Sequence, residues 1–145
     1  MLHPSAWAGL LGWLVAQTAK MINCFIESRR LDFGYMMSTG GMPSAHSAMA
    51  ASLATSLGLC EGFDSAIFAL GLAFAIVVMF DAQSVRKAAG EQAKVLNQIV
   101  DELLTEHHLS QTKLKELLGH TRLEVLMGML TGIATAMASY RFIHP

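Results

Sequence analysis

Charge is what this sequence has least of. Only 14% of its 145 residues are Asp, Glu, Lys or Arg, against 53% apolar, and the mean hydropathy is positive. That composition lies on the membrane side of soluble globular proteins. A net charge of −1, with no basic stripe interleaved with aromatics, gives no reason to expect nucleic acid as a partner. Cysteine is scarce as well. Cys24 and Cys60 sit in apolar stretches without CxxC or Cys/His spacing, which indicates buried thiols rather than a disulfide framework or a zinc site. Strand-like alternation between turn signals is missing throughout, and so is any internal repeat. The fold is therefore expected to be all-α. The basic start and small-residue cleavage site of a signal peptide are missing too, so the first apolar run is expected to be retained. The ten methionines scatter without a repeat and read as packing filler. Residues 1–145 leave no room for a second core, so one domain is expected.

Four apolar segments occupy much of the chain: Trp7 to Ile26, Ser44 to Leu59, Ala66 to Phe80 and Leu123 to Tyr140. A spanning helix needs about 20 residues, so the second and third read as short, buried or tilted helices. Gly128 and Gly132 form a GxxxG spacing that lets helix backbones approach closely in lipid, within the chain or between two copies in a homo-oligomer. Most of the charge falls between the third and fourth segments. There Val95, Leu96, Ile99, Val100, Leu103 and Leu104 follow the i, i+3, i+4 rule, which predicts one long amphipathic helix over 84–106 outside the bilayer core. Ser110 then caps a predicted short helix, Gln111 to Leu118, ending at Gly119. His107 and His108 are adjacent and diverge on a helix, so they read as loop rather than metal ligands. The expected architecture is an all-α membrane bundle of about four apolar helices, with the long amphipathic and the short helix between the third and fourth. Alternation of the segments puts Glu27–Pro43 and Asp81–Arg122 on one side. The turn Cys60–Ser65 and the chain ends fall on the other. Eight of the ten Lys and Arg residues (Arg29, Arg30, Arg86, Lys87, Lys94, Lys113, Lys115, Arg122) belong to the first side. By the positive-inside rule that side is cytoplasmic, although the same charges suit phosphate binding equally well.

Chemistry gathers on that side. Gly40-Gly41-Met42-Pro43-Ser44-Ala45-His46-Ser47 is a Gly-Pro turn opening into a run of small residues, predicted to start a helix with Pro43 in its first turn. A helix start of this kind seats an anion, Ser44 adds a hydroxyl donor, and His46 can move a proton near neutral pH. The bland reading is a helix cap beside a histidine. Lys20, inside the first apolar run, is costly in lipid unless it meets an anion, a wet cavity or a carboxylate such as Glu27 or Asp32. Arg29 follows that run, Arg86 follows the third beside Asp81 (itself a candidate cap), and Lys115 precedes the fourth. His120 and Glu124 are four residues apart and share a helix face. A carboxylate on one ring nitrogen fixes the tautomer and frees the other nitrogen for attack. The bland reading here makes His120 the cap and Glu124 a dipole partner. Together the candidates are Lys20, Arg29, Ser44, His46, Arg86, Lys115, His120 and Glu124, enough to grip a phosphate between two histidines of different surroundings.

Pro43-Ser44-Ala45-His46 resembles the Pro-Ser-Gly-His signature of type 2 phosphatidic acid phosphatases. His120 with Glu124-Val125-Leu126 and Gly128 is similar to their later His-x-x-x-Asp-Val-Leu-x-Gly motif. Including Asp-Ala-x-x-Val-Arg-Lys-Ala-Ala-Gly from Asp81 and Leu-Lys-Glu-Leu-Leu-Gly-His-Thr from Leu114, the chain looks like the divergent, haloperoxidase-related branch of that family from about residue 5 to 140. The resemblance implies an integral membrane protein of a bacterial plasma membrane or an organelle membrane. It further implies cofactor-free, metal-independent hydrolysis of a phosphomonoester or pyrophosphate, usually on a lipid or polyprenyl carrier. By that resemblance His120 is the nucleophile forming a phosphohistidine, Glu124 orients it and His46 is the general acid. Lys20, Arg29, Ser44, Arg86 and Lys115 hold the phosphate. The chain also departs from the pattern. Lys20 and Arg29 stand nine apart where the family has seven, with no Pro following. Lys113 and Lys115 stand where Ser-Arg is usual, Glu124 replaces Asp, and Ala45 replaces Gly. These departures motivate an alternative, a non-catalytic membrane module that binds a phosphorylated lipid headgroup or a partner.

Overall fold

The computed structural model describes residues 3–28, 41–104 and 120–143, and only the backbone of 27–28, 85–87, 102–104 and 143. The described residues form five α-helices and no strand: α1 Pro4–Ser28, α2 Ala45–Glu61, α3 Ala66–Gln83, α4 Val85–Leu104 and α5 Arg122–Ile143. The all-α expectation holds, and the four apolar segments coincide with α1, α2, α3 and α5 to within a few residues. The predicted short helix 111–118 and the histidines 107 and 108 lie outside the described residues.

Local chemistry explains where the helices begin. Pro4 opens α1, where the missing amide hydrogen costs nothing. Ser44 caps α2 and Ser65 caps α3, each accepting the amide of the residue three positions on. Pro43 therefore precedes the cap rather than entering the first turn as expected. Gly41, with φ of 93°, redirects the chain just before it. Asp81 does not cap α4 as anticipated but continues α3. The break falls at Ser84, whose amide and hydroxyl both donate to the Phe80 carbonyl, at 2.9 and 2.8 Å. Beyond it α4 turns Val95, Leu96, Ile99 and Val100 outward and buries Asn97.

The interior is small and the exterior large. Apart from Val125, the buried hydrophobics are all alanine, joined by Ser5, Ser44, Ser47, Ser52 and Ser56, while Leu14, Ile22, Leu70, Phe74, Val77 and Leu130 face out. A water-soluble protein buries its large apolar side chains. The inverse suits a bundle whose helices face lipid and pack through small residues. α2 is the central helix, packed on α1, α3 and α5. Its own faces are so short that backbones meet. A Cβ on Gly128 would strike the Ser44 carbonyl oxygen and one on Gly132 that of Ala48, and one on Gly12 of α1 would meet the Ser52 side chain. The GxxxG face of α5 is thus used within the chain, against α2. Among the described residues, Pro4–Ile26, Ala66–Asp101 (which runs from α3 into α4) and Arg122–Phe142 are long and apolar enough to cross a membrane.

Hydrogen bonds settle which ends lie together. At one end Asn23 of α1 donates to the Met42 carbonyl at 3.1 Å, the Ser44 amide to the Glu124 carbonyl at 3.0 Å, and the His120 amide to the Ala82 carbonyl at 3.1 Å. At the other, Ser56 donates to Ser5 at 3.3 Å and His3 pairs with Glu61 at 3.2 Å. The segments alternate as expected, and the motif-bearing turns share one end.

Candidate active site

Two turns define the site, and backbone hydrogen bonds hold both in place. The first is the cap of α2. The Ser44 hydroxyl oxygen accepts the Ser47 amide at 3.4 Å and the Ser47 hydroxyl at 3.0 Å, within a fully buried setting. As an acceptor in both contacts, Ser44 keeps its own hydroxyl hydrogen to donate elsewhere. The second turn starts α5. The bland alternative, with His120 as the cap, does not hold, because the cap is Thr121. The Thr121 carbonyl accepts the Val125 amide at 3.2 Å and its hydroxyl accepts the Glu124 amide at 3.2 Å, while Glu124 Oε2 accepts the Thr121 amide at 2.9 Å. This is a capping box, Thr-x-x-Glu. Its pattern is visible at 121–124 but was hidden by the more conspicuous histidine beside it.

The cap leaves His120 free to turn inward. The residue is 3% exposed, with Nδ1 3.0 Å from Glu124 Oε2. An ionised carboxylate only accepts, so in that pairing Nδ1 is the donor.

Lys20 reaches this end from α1. It is 4% exposed, its stem passes 3.9 Å from where a Cβ on Gly41 would sit, and its ammonium and the Glu124 carboxylate attract one another. Among the described residues it makes no hydrogen bond or ion pair of its own. Lys20, Ser44, His120 and Glu124 are thereby brought to one buried end of the bundle. His46 is not part of that buried group, since it lies on the exposed side of the first turn of α2. Arg86 lies in the first turn of α4, where only the backbone is described, and Arg29 and Lys115 lie outside the described residues. Among the described residues no group of three His, Cys, Asp or Glu side chains is placed to hold a metal ion.

A family model described as the divergent PAP2 family matches residues 2–135. The chain belongs to that family. It is also 43% identical over 148 residues, covering 94% of both chains, to an uncharacterized membrane protein, YuiD, of Bacillus subtilis (strain 168). No solved structure matches the chain. With three helices able to cross a bilayer and an inverted core, this divergent PAP2 family member is an integral membrane protein.

Proposed function

We propose that the chain is a membrane phosphatase that cleaves a phosphomonoester or pyrophosphate, carried on a lipid or polyprenyl chain, through a phosphohistidine. The observation that carries this reading is the buried His120 ring, held at Nδ1 by Glu124, the residue whose carbonyl accepts the Ser44 amide and whose carboxylate attracts Lys20. His120 Nε2 attacks phosphorus as the bond to the leaving oxygen breaks, and that oxygen takes a proton from His46 at the mouth of the site. Water then attacks the phosphohistidine, giving its proton to His46, and inorganic phosphate leaves with Nε2 restored. Lys20 and Ser44 bind the phosphate oxygens, with Arg29, Arg86 and Lys115 as further cations. No metal or cofactor is required by this scheme.

The test is phosphate release by purified protein in nanodiscs, offered phosphatidate and a polyprenyl pyrophosphate in the presence of a chelator. Turnover by the wild type, with an acid-labile phosphoprotein that His120→Ala cannot form, is the expected outcome. A second reading is favoured by the exposure of His46, which puts the expected general acid outside the buried group. It makes the chain a non-catalytic module for a phosphorylated headgroup. Binding of those lipids by folded protein, without release of phosphate from either, would replace the first reading by the second.

A further inference from the structure

Among the described hydrogen bonds around His120, two involve Thr121, a residue with no role in the scheme above. The His120 amide is tied to the Ala82 carbonyl at 3.1 Å, which fixes its backbone against the end of α3. Its ring is tied through Nδ1 to Glu124 Oε2 at 3.0 Å. The same oxygen accepts the Thr121 amide at 2.9 Å, and the Thr121 hydroxyl accepts the Glu124 amide at 3.2 Å. Thr121 therefore grips both the backbone and the carboxylate of the residue that holds the histidine.

We propose that Thr121 is a positioning residue, whose capping box with Glu124 locks the His120 ring in the Nδ1–H form with Nε2 presented for attack. This rests on the phosphatase reading for its catalytic meaning, although the locking itself is a property of the ring. It also accounts for Glu124 standing where the wider family has Asp. One carboxylate oxygen has to reach back to the cap amide and across to the ring, and the additional methylene of Glu gives that reach. An Asp at 124 satisfies one partner at the expense of the other. A cap without this carboxylate would hold the helix equally well but leave the ring free to rotate and to exchange its hydrogen between nitrogens.

The experiment is nitrogen NMR of isotope-labelled histidine in the full chain in nanodiscs, with the His120 signals assigned by their loss in His120→Asn. Wild type and Thr121→Ser are expected to show the Nδ1–H tautomer alone. Thr121→Val, which keeps the shape but removes the hydroxyl acceptor, and Glu124→Asp are expected to show mixed tautomers. Their kcat should fall by about tenfold to a hundredfold, the scale of a misplaced reacting group, with KM little changed. An unchanged tautomer in Thr121→Val and Glu124→Asp, both shown folded, overturns the proposal and makes Thr121 a plain cap, leaving the phosphatase reading untouched. Absence of turnover in the wild type, with the tautomer still shifting in those variants, supports the lock and sinks only the catalytic reading.

Discussion

Among the described residues a histidine–glutamate pair stands at each end of the bundle, and the two differ in everything but composition. His3 and Glu61 meet at 3.2 Å with side chains 52% and 43% exposed, whereas His120 and Glu124 meet at 3.0 Å with side chains 1% and 22% exposed. The first links the beginning of α1 to the end of α2 in the open. Its partners can exchange each other for water, and such pairs contribute about 0–1 kcal/mol. The second is closed in by α3 through Ala82 and held by the capping box of α5. Water cannot replace those contacts without opening the bundle end. Identical side chains thus make a loose surface contact in one place and a buried, pre-oriented pair in the other. The difference lies in burial and in the backbone around them, not in the pair.

The comparison breaks most completely with one histidine removed from each end. His120→Ala is expected to reduce phosphate release to the uncatalysed background. His3→Ala should leave turnover unchanged and shift stability by less than about 1 kcal/mol, as measured by thermal unfolding in the same nanodiscs. Equal losses of turnover from the two variants would mean that burial does not distinguish the ends.

Much of this arrangement could be read from residue order alone, and what could not was long-range. The four apolar runs foretell α1, α2, α3 and α5, and Ser44 and Ser65 are at the positions where hydroxyl caps belong. The alternation of the helices was enough to collect the motif turns at one end. Lys20 and Glu124, by contrast, are more than a hundred positions apart, and no spacing rule relates them. Only the close packing of α1 and α5 around a core of alanine and serine brings them together. The partner of Gly128 and Gly132 was equally hidden, since GxxxG marks a close approach without saying whether the neighbour is α2 or another copy. Thr121 was a local miss. Its Thr-x-x-Glu pattern stands in the sequence beside a reactive histidine, and only the bland alternative offers a cap there, one residue early at His120. Pro43 was placed in the first turn on a propensity that the Gly41 turn and the Ser44 cap override.

Lys20 sharpens the contrast at the next level of effect. At the far end buried polarity is neutral. The Ser52 hydroxyl donates to the Ala8 carbonyl at 2.7 Å, and Ser56 donates to Ser5 at 3.3 Å. At the site end a lysine is buried instead, within the attraction of Glu124. Such a residue is expensive in a membrane helix and is retained for what it binds. Lys20→Met should therefore lower kcat/KM by about tenfold to a hundredfold, as loss of a hydrogen bond to a charged group implies. The folded state should stay as stable or gain. Ser56→Ala should do the reverse, costing about 1 kcal/mol with turnover intact. A Lys20→Met protein that unfolds readily yet keeps its kcat/KM would make the lysine a structural counter-charge to Glu124.

The smallest and most closely matched test uses the two serine caps. Ser44 accepts the Ser47 amide at 3.4 Å, and Ser65 accepts the Phe68 amide at 3.2 Å. Replacing either by Ala should cost about 1 kcal/mol through loss of the cap. Ser65 has spent its hydroxyl hydrogen on the Gly62 carbonyl at 2.7 Å, whereas Ser44 accepts from the Ser47 hydroxyl at 3.0 Å and keeps its own to give. The two variants should therefore agree in unfolding and part in kinetics. Ser44→Ala should raise the KM for the phosphorylated lipid by up to about tenfold, the limit set by one neutral hydrogen bond, and Ser65→Ala should not change it. If both leave KM alone, the Ser44 hydroxyl is a cap and nothing more, and the phosphate is held by the cations and the backbone of the α2 turn.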